Sequence, residues 1–185
     1  PKRYVDKYLK ARQGHHMFRA APFLLAHEGN SPVNYHSDRF SYEAEEGIEK
    51  IMRASNPRIS RELAELYKRH IVKWARHYSL PPLLVASVIH VESNFNVDCY
   101  YLGNYGPMQV NLTVHKDRLR RMGLGVEDLK TVEHGVYVGC DILKECISGS
   151  GGNYVRALTW YNGAMDPAYA SKVLRMYSYG KGRSE

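Results

Sequence analysis

The sequence of 185 residues predicts a mainly α-helical domain. Three observations carry that prediction. Apolar residues recur at spacings of three and four over long stretches, capping residues stand where those stretches begin, and the alternating pattern of strands is scarce. Phe40 to Ala54 reads as a helix, preceded by a loop from Gly29 to Ser37. After Ser60, the residues Leu63, Leu66, Tyr67, His70, Ile71, Trp74 and Tyr78 form one apolar stripe, with Ser60 as N-cap and Glu62 in the first turn. Leu80-Pro81-Pro82 interrupts the chain, and a proline suits the first turn of the helix that follows. That helix, Leu83 to Val91, is apolar nearly all round and therefore belongs at the centre of the domain. It runs out at Glu92-Ser93-Asn94.

Tyr100 to Asn111, rich in Gly, Asn and Tyr, reads as an irregular and partly extended loop. A helix from about Thr131 to Ile147 carries Val132, Val136, Tyr137, Cys140, Leu143 and Ile147, and Gly149-Ser150-Gly151-Gly152 ends it. Asn153 to Asn162 reads as another helix. Asp166-Pro167 caps and opens the last one, to about Tyr177. No internal repeat or low-complexity tract occurs. The expected architecture is roughly seven to ten helices, with residues 1–59 as a helical N-terminal extension packing on a domain over residues 60–185.

Composition narrows the class. Hydrophobic residues at 44% and charged residues at 24% describe an ordinary globular chain and exclude disorder over most of its length. No apolar run approaches the roughly 20 residues needed to span a bilayer. The longest, Leu80 to Ile89, contains two prolines and a serine, so the chain is expected to be soluble. Lys and Arg number 26 against 19 Asp and Glu, a net charge of +7. That balance favours an anionic partner: nucleic acid, membrane headgroups or a carboxylate-bearing cell-wall polymer. A solvated basic face is the equal alternative, because even the densest cluster, Arg118-Leu119-Arg120-Arg121, is short. Pro1 in place of methionine reads as a mature or trimmed form, in which a removed signal or lipid-anchor segment would be invisible. Three cysteines are too few for a disulfide scaffold. Cys140 and Cys146 fall on opposite sides of one helix, too far apart to bridge; Cys99 paired with either of them, or buried free thiols, both remain open.

Glu92 is the candidate catalytic residue by chemistry alone. It stands at the C-terminal end of the apolar helix, ahead of a polar, glycine-containing loop. Burial and the negative end of the helix dipole both disfavour its carboxylate, and a carboxylic acid held protonated near neutral pH is what a general acid requires. A capping or salt-bridged glutamate is the plainer alternative at such a position. Other motifs fail. His90-Val91-Glu92 lacks the Pro-Cys-x-x-Cys of a zinc deaminase, His27-Glu28 lacks a second histidine at zincin spacing, and His15-His16 offers an adventitious metal contact at most. There is no phosphate-binding glycine loop and no nucleophile elbow.

Three segments, in order, resemble the motifs of the lytic transglycosylases of the soluble-lytic-transglycosylase type, related to goose-type lysozyme. They are Val91-Glu92-Ser93-Asn94-Phe95-Asn96, Gly106-Pro107-Met108-Gln109-Val110 and Ala157-Leu158-Thr159-Trp160-Tyr161-Asn162-Gly163. Gly139-Cys140-Asp141-Ile142-Leu143-Lys144 resembles the family's intervening helix, and the likeness spans about Leu80 to Ala164. The resemblance implies a lysozyme-like helical fold with a glycan groove. It implies cleavage of the β-1,4 bond between N-acetylmuramic acid and N-acetylglucosamine in peptidoglycan, leaving a 1,6-anhydro end. Glu92 matches the sole catalytic carboxylate, acid first and then base. Ser93 matches a serine that helps position the site, and Gln109 a glutamine lining the groove. Tyr161 and Asn162 match residues that face the glutamate; Met108 is a candidate for packing against a sugar ring, with structural core as its plainer single-residue reading. No metal or other cofactor is implied. The resemblance implies peptidoglycan and not nucleic acid as partner and the periplasm or cell envelope as location, and leaves a membrane anchor and a further envelope partner open.

The sequence departs from the family pattern at identifiable places. Pro107 stands where leucine is usual, the second motif begins one residue early, Cys99-Tyr100-Tyr101-Leu102 replaces a serine-containing turn, and Trp160 is large for its position. A hydrolase on the same fold would need a second carboxylate about 6.5–9.5 Å from the first, and Asp98 is the nearest in sequence. A catalytically silent glycan binder, and a nucleic-acid binder suggested by the charge and 15 tyrosines, are alternatives from other classes.

Overall fold

The computed structural model describes residues 35–164 and 166–182. Among them are eight helices: α1 (Tyr35–Ser55), α2 (Arg61–His77), α3 (Pro82–Ser93), α4 (Lys116–Met122), α5 (Val126–Leu129), α6 (Val132–Gly149), α7 (Tyr154–Asn162) and α8 (Pro167–Gly180). Between α3 and α4 lie three two-residue strands, β1 (Tyr100–Tyr101), β2 (Asn104–Tyr105) and β3 (Val110–Asn111). They form one antiparallel sheet in the order β1-β2-β3, with Tyr100 opposite Tyr105 and Tyr105 opposite Val110. The mainly helical class follows from the sequence as expected, and the partly extended loop is this small sheet.

The capping residues act as such. Ser60 Oγ accepts from the Leu63 amide at 3.2 Å, Thr131 Oγ1 from His134 at 3.2 Å, Asn153 Oδ1 from Arg156 at 3.0 Å and Asp166 Oδ1 from Ala168 at 2.9 Å. Each satisfies an amide that the first helical turn leaves without a partner. Pro82 opens α3 where its missing N–H costs nothing.

Helix α3 is the central helix. Leu84, Val85, Ala86, Val88 and Ile89 are all fully buried, which is why it carries no polar face. Helices α1, α2 and α8 pack around it, bringing Ile48, Ile51 and Met52, then Tyr67 and Ile71, then Ala170 and Val173, into one core. A second core under the sheet contains Val110, Leu119, Leu129, Val138, Ile142 and Cys146. Helix α6 joins the two, with Val136, Cys140 and Leu143 facing the first and Val138, Ile142 and Cys146 the second. Cys140 and Cys146 thus lie on different sides of α6, and all three cysteines are free thiols.

Several expectations need correction. Tyr35 to Ser37 is helical rather than loop, because α1 begins earlier than its apolar pattern does; the rest of that expected loop, His15-His16 and His27-Glu28 lie outside the described residues. Leu66 is 37% exposed, while Ala64 and Ala75 complete the buried face of α2, since small alanines let neighbouring helices approach. Helix α8 continues to Gly180. Helices α4 and α5 had no periodic signal, being too short to show a period. The basic run at 118–121 is not a solvated face throughout: Arg118 is 4% exposed and forks onto Asp141 and Glu145 of α6. Among the described residues, no helix is long and apolar enough to cross a membrane.

Candidate active site

Glu92 occupies the last turn of α3, partly exposed where the helix leaves the core. The chain turns sharply there. Asn94 (φ 51°) and Phe95 (φ 61°) are consecutive left-handed residues. Asparagine tolerates this conformation, but a phenylalanine in it is strained. Full burial of the Phe95 ring and its edge-on contact with Tyr67, centroids 5.1 Å apart, offset that strain.

The following loop is tied back to the end of α3. Ser93 Oγ donates to the Pro107 carbonyl at 2.8 Å, with the Ile89 carbonyl at 3.1 Å. Gln109 Nε2 donates to the carbonyls of Cys99 (2.9 Å) and Gly106 (3.0 Å), and Cys99 Sγ lies 3.8 Å from the Glu92 carbonyl. Gly106 is required where it stands: its φ is +74°, and a Cβ would overlap the Leu129 carbonyl.

Two tyrosines close the other side. Tyr169, in the first turns of α8, donates from its hydroxyl to Glu92 Oε1 at 2.5 Å. Tyr161, near the end of α7, donates to the Met108 carbonyl at 2.9 Å. Burial pushes both phenols well above the ordinary tyrosine range, and the nearby Glu92 charge pushes them further, so both stay protonated donors. Burial likewise pushes Glu92 up to about 7, against the Tyr169 hydrogen bond that pulls it down. Glu92 is therefore an acid poised to gain or lose a proton near neutral pH.

The fold brings Glu92, Ser93, Gln109 and Tyr161 into one hydrogen-bonded framework at the end of α3. Asn162 is exposed, and its Oδ1 accepts from the Ala164 amide at 3.3 Å within its own turn. Met108 is a correction: its side chain is fully buried against Gly139, so it presents no surface to a sugar, and its carbonyl serves instead as the acceptor for Tyr161. Tyr169 was missed. Its position after Asp166-Pro167 marks a helix start, but nothing in the local pattern shows that this helix runs alongside α3.

Two hollows flank the site. One, of about 330 Å³, is lined by Asp98, Tyr100, Tyr105 and Lys130, with the two tyrosine rings 4.8 Å apart. The other, of about 250 Å³, lies between α3 and α8. Among the described residues, no group of three or more His, Cys, Asp or Glu side chains is arranged to hold a metal ion.

Residues 69–172 match the family model described as the transglycosylase SLT domain. No curated protein matches the chain.

Proposed function

The chain belongs to the transglycosylase SLT domain family, a family of lytic transglycosylases acting on peptidoglycan, and on that premise we propose that it cleaves glycan strands without water. In this reading Glu92 is the only acid–base group. Its neutral carboxyl protonates the oxygen linking C1 of N-acetylmuramic acid to C4 of N-acetylglucosamine, and the C1–O bond breaks as that proton arrives. The resulting carboxylate then takes the proton of the muramoyl C6 hydroxyl, whose oxygen bonds to C1. The products are a 1,6-anhydro-muramoyl end and a free C4 hydroxyl, and Glu92 ends protonated as it began. The substrate's N-acetyl group stabilises the positive charge developing at C1, so a second carboxylate is not required, as in other substrate-assisted glycosidases.

The observation that carries this reading is the state of Glu92, held near neutral titration by burial and gripped on one oxygen. Because Tyr169 donates to Oε1, the carboxyl proton resides on Oε2, which gives the acid a defined direction. That hydrogen bond persists when the carboxylate acts as base. Gln109, with its amide hydrogens committed to Cys99 and Gly106, keeps a carbonyl oxygen to accept from a substrate hydroxyl or amide. Ser93 and Tyr161 hold the backbone that Gln109 rides on. Such a substrate carries the reading to the periplasm or cell envelope, with residues 1–59 as an extension to a domain over 60–185.

The test is mass spectrometry of soluble products from purified peptidoglycan. Muropeptides one water lighter than lysozyme products are expected. Reducing muramic ends would establish hydrolysis instead and direct attention to Asp98. Binding to sacculi without any product would establish a silent binder.

A further inference from the structure

The hollow between α3 and α8 is not used by the chemistry above. Its polar lining is His90 of α3 and Asn94 just past its end, with Lys172 and Arg175 of α8, and Val91 and Met176 supply apolar walls. Lys68, Lys73 and Lys130 each pair with a glutamate. Lys172 and Arg175, both exposed, have no such partner among the described residues.

The state of His90 narrows the ligand. Ser55 Oγ lies 2.6 Å from the Ile51 carbonyl and also 2.6 Å from His90 Nδ1. A carbonyl cannot donate, so the one hydroxyl proton of Ser55 lies toward Ile51, and Nδ1 must carry the hydrogen shared with Ser55. Burial and the charge of Arg175 lower the pKa of His90 and so favour its neutral ring. Its Nε2 then offers a lone pair. The hollow therefore combines two cations with a hydrogen-bond acceptor and a carboxamide. A peptide bearing a carboxylate supplies an anion for the two cations, N–H donors for that acceptor and apolar atoms for the walls of Val91 and Met176.

We propose that this hollow receives the peptide stem of a muramoyl residue, with a stem carboxylate between Lys172 and Arg175 and a peptide N–H directed at His90. The inference rests on the peptidoglycan reading and extends it to the part of the substrate remote from the bond cleaved. The hollow's residues Val91 and Asn94 lie within two positions of Glu92, and a stem of three or four extended residues reaches about 10–14 Å. Anchoring a remote group in this way favours strands that still carry peptides.

The test measures binding by the full chain carrying Glu92→Gln, so that turnover does not interfere. The probes are soluble glycan strands bearing tetrapeptide stems and the same strands stripped by an amidase. The peptide-bearing strands should bind more tightly, and adding Lys172→Gln with Arg175→Gln should reduce that preference about tenfold, two charge-assisted contacts being lost. Equal binding of both strands by the Glu92→Gln chain would overturn the inference while leaving the peptidoglycan reading intact. A preference unchanged by the two added substitutions would do the same. Binding to neither strand would overturn both readings together.

Discussion

The Tyr169 hydroxyl and the Glu92 carboxylate meet at 2.5 Å across the seam between α8 and α3, seventy-seven positions apart in the chain. The contact opposes what burial does to Glu92. Burial raises its pKa and the hydrogen bond lowers it, with burial the larger effect. Tyr169→Phe removes only the lowering contribution, so the pKa of Glu92 should rise further. The alkaline limb of the pH–activity profile should move to higher pH while the rate at the optimum falls, because Oε1 is no longer held. A limb that stays in place would show that the phenol does not tune the acid.

For the wild-type chain, activity should decline as pH rises through about 7, where Glu92 loses the proton the first step needs. A profile flat to pH 9 would remove Glu92 from the acid role. Glu92→Gln, which keeps the shape but cannot cycle a proton, should lower wall-lytic activity at least about a hundredfold.

Stability should move the other way. Glu92 binds its proton more tightly in the folded chain than in the unfolded one, so between about pH 4.5 and 7 the folded state holds more protons. Stability is then lost as pH rises through that window. Glu92→Gln should leave the chain more stable than wild type at pH 8, on the order of 2–3 kcal/mol, with little of this gain at pH 4. Urea denaturation at the two pH values checks this, and an equal effect at both would contradict the burial of the charge.

Arg118 should be a stability residue. Its guanidinium is buried between Asp141 and Glu145, linking α4 to α6. Arg118→Met removes the buried guanidinium that both carboxylates contact. A loss of about 3 kcal/mol is expected from urea denaturation, the lower part of the range for a broken buried pair because both acids are partly solvated.

Gly139 couples the core to the site. A Cβ there would come within 2.6 Å of Met108 Cβ, and the Met108 carbonyl holds Tyr161. Gly139→Ala should cost about 1–3 kcal/mol by overpacking and reduce activity as well. Combined with Met108→Ala, the new methyl enters the space the methionine leaves, so the double variant should be less destabilised than the two single losses added together. Strict additivity would show that the two residues do not press on each other.

The parts of this protein that its sequence determined are those set by neighbours along the chain. Ser60, Thr131, Asn153 and Asp166 cap helices because their side chains reach amides two or three residues ahead. The burial of α3 was legible because a helix with no polar face has no solvent side to present. Glu92 stood out for the same local reason, as a carboxyl at the end of that helix.

Tertiary structure decided what depends on residues distant in sequence. It joined Tyr169 to Glu92, gave Tyr161 the Met108 carbonyl as its partner, turned the Met108 side chain into the core, and drew Arg118 out of an apparently solvated basic run. Hydrophobic periodicity says which face of a helix is buried but not against which helix, and a hydrogen bond between side chains needs both ends placed within a few tenths of an ångström. Only the packing of α3, α6, α7 and α8 supplies that second coordinate.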